Sequence, residues 1–348
     1  MIFFWIATGR INFSKDACDT LEPFLTRRLV GQDASLLALT DAVCDHLTTQ
    51  IEGTPSKPLV VSIHGPPGVG KTYFHQLAGH ALYNGDVPRK KHCPGRDCPG
   101  YKVLFGMDYT VKDRDEQHRM IQQSLLQQVQ DYPQSFLVIE EYDKLDCYMR
   151  GFFRQILQGG IVGNQSLGNS IVILESNLGY SVLHRMLETA GDRNKIQLDD
   201  AQRALKDMIF KIWRQQDCEA FSDSQKLLRT IDLFLPFYPL EKEHIKKLFE
   251  MKLEQFSDEA SRTIGQPLTY NASLLGFLVQ RVEFDGKYPI EGGKEVNTVT
   301  TGYLSRPFRK WIQGQNSMNS KGKQDEHQKG KWTVEGQRVS IQPFVAAA

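Results

Sequence analysis

Short apolar runs alternate with amphipathic segments over most of this chain. The runs Leu59–Ile63, Phe136–Ile139 and Ile171–Leu174 carry almost no polar residue, which is typical of parallel strands that are buried on both faces. Residues 71–83 and 113–129 place apolar side chains at the three- and four-residue spacing of a helix. Strands that alternate with helices predict an α/β fold of three layers, with helices on both faces of a parallel sheet.

The pattern changes towards both ends of the chain. Residues 21–50 predict a loop followed by an amphipathic helix. From Leu240 the chain is helical and charged, and no strong strand pattern follows. Beyond Gln313 the sequence is rich in Ser, Asn, Gln, Gly and Lys, so we expect a disordered tail. We therefore predict an N-terminal segment, an α/β domain, a small helical domain and a polar tail, at residues 1–20, 21–239, 240–313 and 314–348.

Composition and charge exclude few classes of protein, but they narrow the range of expected binding partners. Hydrophobic residues make up 40% and charged residues 24%, an ordinary globular balance. The net charge of +1 gives no reason to expect nucleic acid or an acidic membrane as a partner. The apolar start Met1–Ala7 is interpreted either as the remnant of a signal or anchor segment or as a buried strand. Asn-x-Ser sequons, which support a secretory location only weakly, begin at Asn12, Asn164 and Asn271.

The cysteines are too few for a disulfide scaffold, since the chain has six of them in scattered positions. His92, Cys93 and Cys98 form one cluster of metal-ligating residue types. A structural zinc site needs four ligands, usually from two such pairs, and the sequence contains no second pair, so we do not expect zinc here. Cys93 and Cys98 would pair in an oxidising compartment and stay free thiols in the cytosol.

A glycine-rich loop follows the first apolar run and matches the phosphate-loop pattern G-x-x-x-x-G-K-[ST] at every position. The glycines allow backbone N–H groups to turn inward around phosphates, Lys71 neutralises the β- and γ-phosphates, and Thr72 offers a hydroxyl to Mg²⁺. A strand before the loop and a helix after it are the context that the motif requires, so the sequence predicts ATP and Mg²⁺ as ligands. The residues of the loop are Gly65, Pro66, Pro67, Gly68, Val69, Gly70, Lys71 and Thr72.

Polar residues follow the other two apolar runs. Glu140 is predicted to help hold Mg²⁺, and Glu141 to orient the attacking water as general base. Glu140 stands where most phosphate-loop relatives have aspartate, and its carboxylate reaches about 1.5 Å further. Because Mg²⁺ keeps several water ligands that can absorb such a change, we expect Mg²⁺ binding to survive. Impaired hydrolysis stays open as a consequence of the longer side chain. Asn177 is a candidate for polarising the water or the γ-phosphate.

The order of these motifs is similar to the Clp-type branch of the AAA+ ATPases. Within that branch the sequence resembles the torsins, most clearly in the run Leu228–Lys247 (LRTIDLFLPFYPLEKEHIKK). The resemblance extends from about Leu21 to Gln313. Further segments that carry it are Leu29–Leu37, Ser135–Leu145, Ser176–Gly179 and Leu304–Arg309.

The resemblance implies roles for further residues. Leu29, Val30 and Gly31 would line the adenine pocket, Asn177 would be the first sensor residue, and Arg306 at the start of the last lid helix would be the second. The sequence departs from the torsin pattern at two motifs. Thr72 replaces the asparagine of torsins, and Arg306 replaces the lysine of a Gly-Cys-Lys motif, so the redox sensing of that cysteine is not carried over.

The resemblance also implies a function: an ATP-hydrolysing chaperone that remodels protein assemblies in the lumen of the endoplasmic reticulum or nuclear envelope, as an oligomer of AAA+ type acting on a protein substrate. Clp relatives place an arginine finger where this chain has Thr230. Torsins also lack that arginine and borrow it from a membrane-anchored activator, which we therefore expect as a partner. Arg229 is the competing candidate, in a homo-oligomer.

Two alternatives stay open. A Clp-type threading unfoldase, with a cytoplasmic location as the alternative compartment, would need an aromatic-glycine pore loop. Residues 107–130 contain no glycine and only Tyr109 as an aromatic, which weighs against threading. A nucleotide-gated scaffold that hardly hydrolyses ATP is kept open by Glu140.

Overall fold

The computed structural model describes residues 12–53, 55–84, 98–105, 113–216, 220–319 and 329–344. The chain divides into two compact units, Met1–Tyr238 and Pro239–Ala348. Met1–Ala7, the cluster at residues 92–93 and Tyr109 lie outside the described residues. Among the described helices, none is both long enough and apolar enough to cross a bilayer.

The predicted parallel sheet is confirmed in the first unit. Its five strands lie in the order β2-β3-β6-β1-β7, and each neighbouring pair is parallel. A separate two-stranded hairpin is formed by β4 and β5. The strands are β1 (Leu59–His64), β2 (Tyr101–Phe105), β3 (Phe136–Glu140), β4 (Ile161–Val162), β5 (Gln165–Ser166), β6 (Ile171–Ser176) and β7 (Leu233–Pro236).

Helices cover both faces of this sheet. Alternate strand residues point to opposite faces, so Val61 joins one apolar core with the N-terminal helices while Val60 joins the other. This alternation is why the bare apolar runs of the sequence become doubly buried strands. The helices of the first unit are α1 (Ala17–Thr26), α2 (Asp33–Glu52), α3 (Lys71–Asn84), α4 (Arg114–Asp131), α5 (Cys147–Gly159), α6 (Tyr180–Ala190), α7 (Leu198–Gln215) and α8 (Phe221–Thr230).

The loop predicted at the start of residues 21–50 is wrong, because α1 already runs through residue 26. Pro23 lies inside this helix, where it cannot donate a backbone hydrogen bond. Leu21 and Leu25, one helical turn apart, are fully buried in the core, and this packing outweighs the cost of the proline. A disulfide between Cys18 and Cys44 joins α1 to α2, with the two Cα atoms 5.4 Å apart.

The second unit contains more strand than the sequence indicated. Its helix α9 begins at Lys242, two residues after the predicted change in character. Short strands and helices follow it, and a three-stranded sheet forms in the order β12-β11-β8. The elements are α9 (Lys242–Ile264), β8 (Leu268–Thr269), α10 (Ala272–Val279), β9 (Phe284–Asp285), β10 (Tyr288–Pro289), α11 (Lys294–Thr300), α12 (Arg306–Asn319), β11 (Lys329–Glu335) and β12 (Arg338–Phe344).

The disordered tail predicted at residues 314–348 is wrong for the part of the tail that is described. Residues 314–319 continue α12, and residues 329–344 form the antiparallel hairpin of β11 and β12. Trp332 is fully buried, and its ring centroid lies 5.8 Å from that of Phe256. The polar composition concealed an alternating apolar pattern around the turn at Gly336, whose φ of 59° suits glycine.

The last helix of the unit does not start from a loop. Residues 301–305 form a π-helical turn that connects α11 directly to α12. Pro307 follows as the second residue of α12, where it has no N–H to give to the helix. The wider π-turn just before the proline is a local adjustment of the helical backbone hydrogen bonds. Such π-turns occur frequently at functional sites.

Candidate functional site

The phosphate loop connects the end of β1 to the start of α3 through a backbone that only glycine fits. Gly68 and Gly70 have φ values of 80° and 99°, in the left-handed region that other residues rarely adopt. A Cβ on Gly65 would lie 2.2 Å from the carbonyl oxygen of Phe237, and one on Gly70 would lie 2.9 Å from Leu29 Cδ1. The loop therefore packs tightly against Phe237, which follows β7, and against the segment before α2.

Lys71 and Asn177 are brought together at the centre of the site, although 106 residues separate them. Lys71 Nζ donates to Asn177 Oδ1 at 2.8 Å and to the carbonyl oxygens of Gly65 and Pro66 at 3.0 Å each. The lysine side chain is 4% exposed. Its charge is therefore held over the loop, with the amide of Asn177 beside it.

The two glutamates after β3 differ in conformation. Glu140 is the last residue of the strand and is buried. Glu141 has φ 52° and ψ 39°, and among the described residues it is the one non-glycine residue with a positive φ. A side chain in this left-handed conformation costs about 1–2 kcal/mol, and it persists where the surrounding structure imposes it, most often at active sites.

A buried histidine contacts the carboxylate predicted to bind Mg²⁺. His75 Nε2 lies 2.8 Å from Glu140 Oε1 and 3.3 Å from Glu175 Oε2, while Nδ1 lies 2.6 Å from Tyr101 Oη. Burial by itself lowers the pKa of His75, but its hydrogen bonds to Glu140 and Glu175 outweigh burial and raise that pKa above its usual value. Thr72 Oγ1 donates to Glu175 Oε2 at 3.5 Å, so Glu175 lies beside the hydroxyl predicted to bind Mg²⁺.

The donor set fits a magnesium nucleotide. Mg²⁺ prefers oxygen ligands and usually takes one or two carboxylates together with substrate phosphates. The exposed hydroxyl of Thr72 and the carboxylates of Glu140 and Glu175 supply oxygens at the start of α3. The left-handed glycines leave the loop backbone free of Cβ atoms where phosphates would approach.

The segment predicted to contact adenine is buried against the phosphate loop. Leu29 and Val30 are 4% and 5% exposed, and Gly31 has a φ of 79°. Arg193 Nη1 donates to the carbonyl oxygen of Gly31 at 2.6 Å. The amide side chain of Gln32 bonds both the N–H and the carbonyl oxygen of Tyr238 at 2.9 Å. These bonds fix the loop before α2.

The arginines proposed for catalysis lie at exposed positions. Arg306 is the first residue of α12 in the second unit, and its side chain is exposed. Arg229 is exposed near the end of α8 in the first unit. Thr230 is buried, and its hydroxyl donates to the carbonyl oxygen of Leu227 at 2.6 Å. The side chain at the expected finger position therefore points into its own unit.

Sequence reasoning missed His75, Glu175, Tyr101 and Arg193. Two signals were available. His75 follows Thr72 by three residues and so lies on the same helical face, and Glu175 is an acidic residue directly after the apolar run Ile171–Leu174. Tyr101 and Arg193 carry no signal of this kind, because only the fold brings them to the site.

The cysteines form disulfides even though they are too few for a scaffold. In addition to the Cys18–Cys44 bridge, Cys98 and Cys147 each take part in a disulfide. The sequence left this question open, because the pairing of distant cysteines depends on the fold.

Comparison with known proteins places the chain near the torsins and the ClpB chaperones. The sequence model of the torsin family matches residues 8–91. A torsin-like protein of Drosophila melanogaster is 24% identical over 256 residues, covering 72% of this chain and 71% of the relative. Torsin-3A of Rattus norvegicus is 27% identical over 271 residues, covering 72% and 62%.

ClpB chaperones are similar at the same level. The chloroplastic chaperone protein ClpB2 of Oryza sativa subsp. japonica is 24% identical over 302 residues, covering 84% of this chain. The chain spans only 28% of the length of that relative. These relatives and the fold together confirm the resemblance seen in the motifs: the chain is similar both to the torsins and to the ClpB chaperones, and its parallel sheet is that of a P-loop α/β domain.

Proposed function

We propose that this protein binds ATP with Mg²⁺ and hydrolyses it to remodel protein assemblies, as a torsin-like chaperone. The observation that carries the proposal is the hydrogen bond of 2.8 Å between Lys71 Nζ and Asn177 Oδ1. It joins the residues that follow two neighbouring parallel strands, and Glu141 follows the third. Ligands of open α/β sheets bind at this carboxyl edge of the strands.

Each residue has a proposed role in that reaction. Lys71 neutralises the phosphates, Thr72 and Glu140 hold Mg²⁺, and Glu141 takes the proton of the attacking water. Asn177 polarises the water or the γ-phosphate. When bound, Mg²⁺ neutralises the charge that develops on the phosphates.

The remaining proposed roles are contacts with the adenine and a second sensor contact with the phosphates. Leu29, Val30 and Gly31 contact the adenine, and their burial beside the phosphate loop supports this role. Arg306 contacts the phosphates as the second sensor residue. Its exposed position at the start of α12 leaves the guanidinium accessible.

A partner completes the site by donating an arginine. Thr230 at the finger position is buried and bonded to its own helix, so this position has no cation to offer a neighbouring subunit. An arginine supplied in trans is worth about 10³–10⁵ in turnover for other P-loop enzymes. We therefore propose slow hydrolysis by the protein alone and activation by a membrane-anchored partner. The exposed Arg229 is the internal alternative.

The disulfides support a location in the lumen of the endoplasmic reticulum or nuclear envelope. Disulfides such as Cys18–Cys44 persist in oxidising compartments and are rare in the cytosol, where thiols are kept reduced. The bridge joins two helices of the nucleotide-binding unit rather than two exposed loops. A cytoplasmic location is the alternative, and protease sensitivity of the protein in intact microsomes would establish it.

A single-turnover ATPase assay tests the proposal. The purified protein should bind ATP and turn it over slowly, and a membrane extract should accelerate turnover. Lys71→Ala should abolish ATP binding, because it removes the main positive charge that neutralises the phosphates. Glu141→Gln should keep ATP bound and stop hydrolysis. Unchanged ATP affinity in Lys71→Ala would remove the phosphate-loop assignment.

Arg229→Ala separates the two sources of the arginine finger. If a partner supplies the arginine, this variant should keep the response to the membrane extract. Brisk turnover by rings of the protein alone, lost in Arg229→Ala, would show an internal finger. Turnover in Glu141→Gln at the parent rate would exclude Glu141 as the base and favour a nucleotide-gated scaffold.

A threading unfoldase is the second candidate, because ClpB relatives match 84% of the chain. It predicts ATP-dependent unfolding of a folded fluorescent protein that carries an unstructured tail. A torsin-like remodeller should leave such a substrate folded.

A further inference from the structure

Three side chains from three different elements meet beside the phosphate loop. His75 lies on α3, Glu140 ends β3, and Glu175 is the penultimate residue of β6. The strands are parallel neighbours, with Ile139 paired to Leu174, so the two glutamates occupy adjacent positions in the sheet. We refer to His75, Glu140 and Glu175 as the His–Glu cluster.

The cluster is compact and buried. Its possible ligand atoms all lie within 4.8 Å of one another, and the described residues contain no other group of this kind. His75 is 1% exposed, and the two glutamates are 8% and 7% exposed. Two carboxylates and one imidazole held in this way are costly to bury unless they are paired with each other or with a cation.

The spacing suits a metal ion with little adjustment. Ligand atoms at 2.0–2.1 Å from a tetrahedral Zn²⁺ are roughly 3.4 Å apart. His75 Nε2 lies 3.3 Å from Glu175 Oε2 already, and 2.8 Å from Glu140 Oε1. A side-chain shift of about 0.6 Å by Glu140 would open the second distance to the tetrahedral value.

The other nitrogen of His75 is held as metal-bound histidines require. Nδ1 lies 2.6 Å from Tyr101 Oη. When Nδ1–H donates to that oxygen, Nε2 keeps its lone pair towards the two carboxylates. Histidine ligands almost always donate their second N–H to an oxygen acceptor, usually a carboxylate, a backbone carbonyl or water, which fixes the tautomer and the ring orientation. The Tyr101 hydroxyl takes that place here.

An open cleft leads to the cluster. It has a volume of about 350 Å³, and its lining includes Thr72, His75, Tyr101 and Glu140. This space gives an ion a path from solvent, and it leaves room for water at the coordination positions that the three side chains do not fill. Three protein ligands with one open position is the usual arrangement of catalytic zinc sites.

We propose that the His–Glu cluster binds a divalent transition-metal ion of the Zn²⁺ and Co²⁺ type in the absence of nucleotide. The imidazole nitrogen makes the site selective for these ions over Mg²⁺, because imidazole is a good ligand for them while Mg²⁺ prefers oxygen ligands and retains its water. The binding itself does not depend on the proposed ATPase. A consequence does rest on that function: the ion shares Glu140 with Mg²⁺, so it competes with Mg²⁺ and inhibits hydrolysis.

Cobalt titration of the chelator-treated full chain tests the proposal. Bound Co²⁺ gives a visible absorption band, and calorimetry gives the stoichiometry and affinity. We expect one ion per chain without nucleotide, and displacement of Co²⁺ by Zn²⁺. His75→Gln should lower Co²⁺ affinity at least about 10-fold, the lower limit for loss of even an outer-shell partner.

His80→Gln is the matched control, since His80 is a buried histidine of the same helix outside the cluster. It should keep the parent affinity and absorption band. Tyr101→Phe keeps the ring that packs on Phe136 and removes the hydroxyl. It should lower Co²⁺ affinity by about 10- to 100-fold, and it carries the test if His75→Gln does not fold.

Two results would overturn the proposal: no Co²⁺ band in the parent protein, or equal Co²⁺ affinities in the parent, His75→Gln and Tyr101→Phe. The first result would leave the cluster as a buried ion pair. Lys71→Ala separates this proposal from the ATPase, because it should lose ATP binding, whereas removal of the Lys71 cation 4.0 Å from Glu175 Oε1 should keep or raise Co²⁺ affinity. If the parent protein failed to bind ATP, the proposed metal site would not be refuted. If it failed to bind Co²⁺, the proposed ATPase activity would not be refuted.

Discussion

Replacing Glu141 by glycine should stabilise the protein and stop ATP hydrolysis at the same time. Glu141 has a φ of 52°, in the left-handed region, where a side chain costs about 1–2 kcal/mol. Glycine removes this cost but adds about 0.4–1 kcal/mol of entropy to the unfolded chain. We therefore expect Glu141→Gly to be more stable than Glu141→Ala by about 1 kcal/mol.

The comparison with alanine isolates the backbone, because both variants lose the carboxylate. With a urea dependence of about 3 kcal/mol per molar, the unfolding midpoint of the glycine variant should be about 0.3 M higher than that of the alanine variant. The control is Gln123, an exposed position inside α4. There glycine should be less stable than alanine by about 1 kcal/mol.

Both Glu141 variants should still bind ATP and should fail to hydrolyse it. That outcome would explain why a glutamate occupies a position that glycine would stabilise. An alanine variant as stable as the glycine variant would show that the left-handed backbone at Glu141 carries no strain. Hydrolysis at the parent rate in either variant would refute the role of Glu141 as the base.

Further predictions concern the disulfide, the sequons and the response to acid. Cys18→Ser with Cys44→Ser should lower the free energy of unfolding by about 3.5 kcal/mol, because the bridge closes a separation of 26 residues; urea unfolding without reductant measures this, and an unchanged midpoint would contradict it. Asn164 is exposed in the turn between β4 and β5, whereas the amide oxygen of Asn271 caps α10; in secreted protein, Asn164→Gln rather than Asn271→Gln should remove the glycosidase-sensitive gel shift. Burial, and then the charge of Lys71, lowers the pKa of His64 to about 3. The unfolded state therefore binds more protons between about pH 3 and 6.5, and stability falls as the pH drops through that window. His64→Gln should lose about 2 kcal/mol less stability than the parent between pH 7 and 5, at about 1.4 kcal/mol per pH unit below 6.5, and equal losses would refute this.

Much of the fold was predictable from local pattern. The apolar runs that became β1, β3 and β6 were read correctly, because a strand buried on both faces has no polar alternation to confuse it. The part of α1 that begins at residue 21 was predicted as a loop, whereas burial of Leu21 and Leu25 in the core favours the helix even with Pro23 inside it. Local propensity is a weak preference that tertiary packing overrides.

The hairpin of β11 and β12 was missed for a different reason. Its sequence is polar overall, and two strands alone are marginal in water. Pairing of β11 with β8, and burial of Trp332 against Phe256, supply the stabilisation that the segment lacks by itself. These contacts join positions far apart in the chain, so no local pattern reveals them.

The sequence by itself determined the phosphate loop, because the required glycines, lysine and threonine are consecutive and each has a fixed chemical task. It also indicated Glu140, Glu141 and Asn177 as candidate residues. The tertiary structure alone decided that His75 and Glu175 surround Glu140, since their contact depends on the register of β3 against β6 and on the packing of α3 over them. A linear motif fixes residues that act within one turn of backbone, whereas a cluster built from three elements exists only once the sheet has formed.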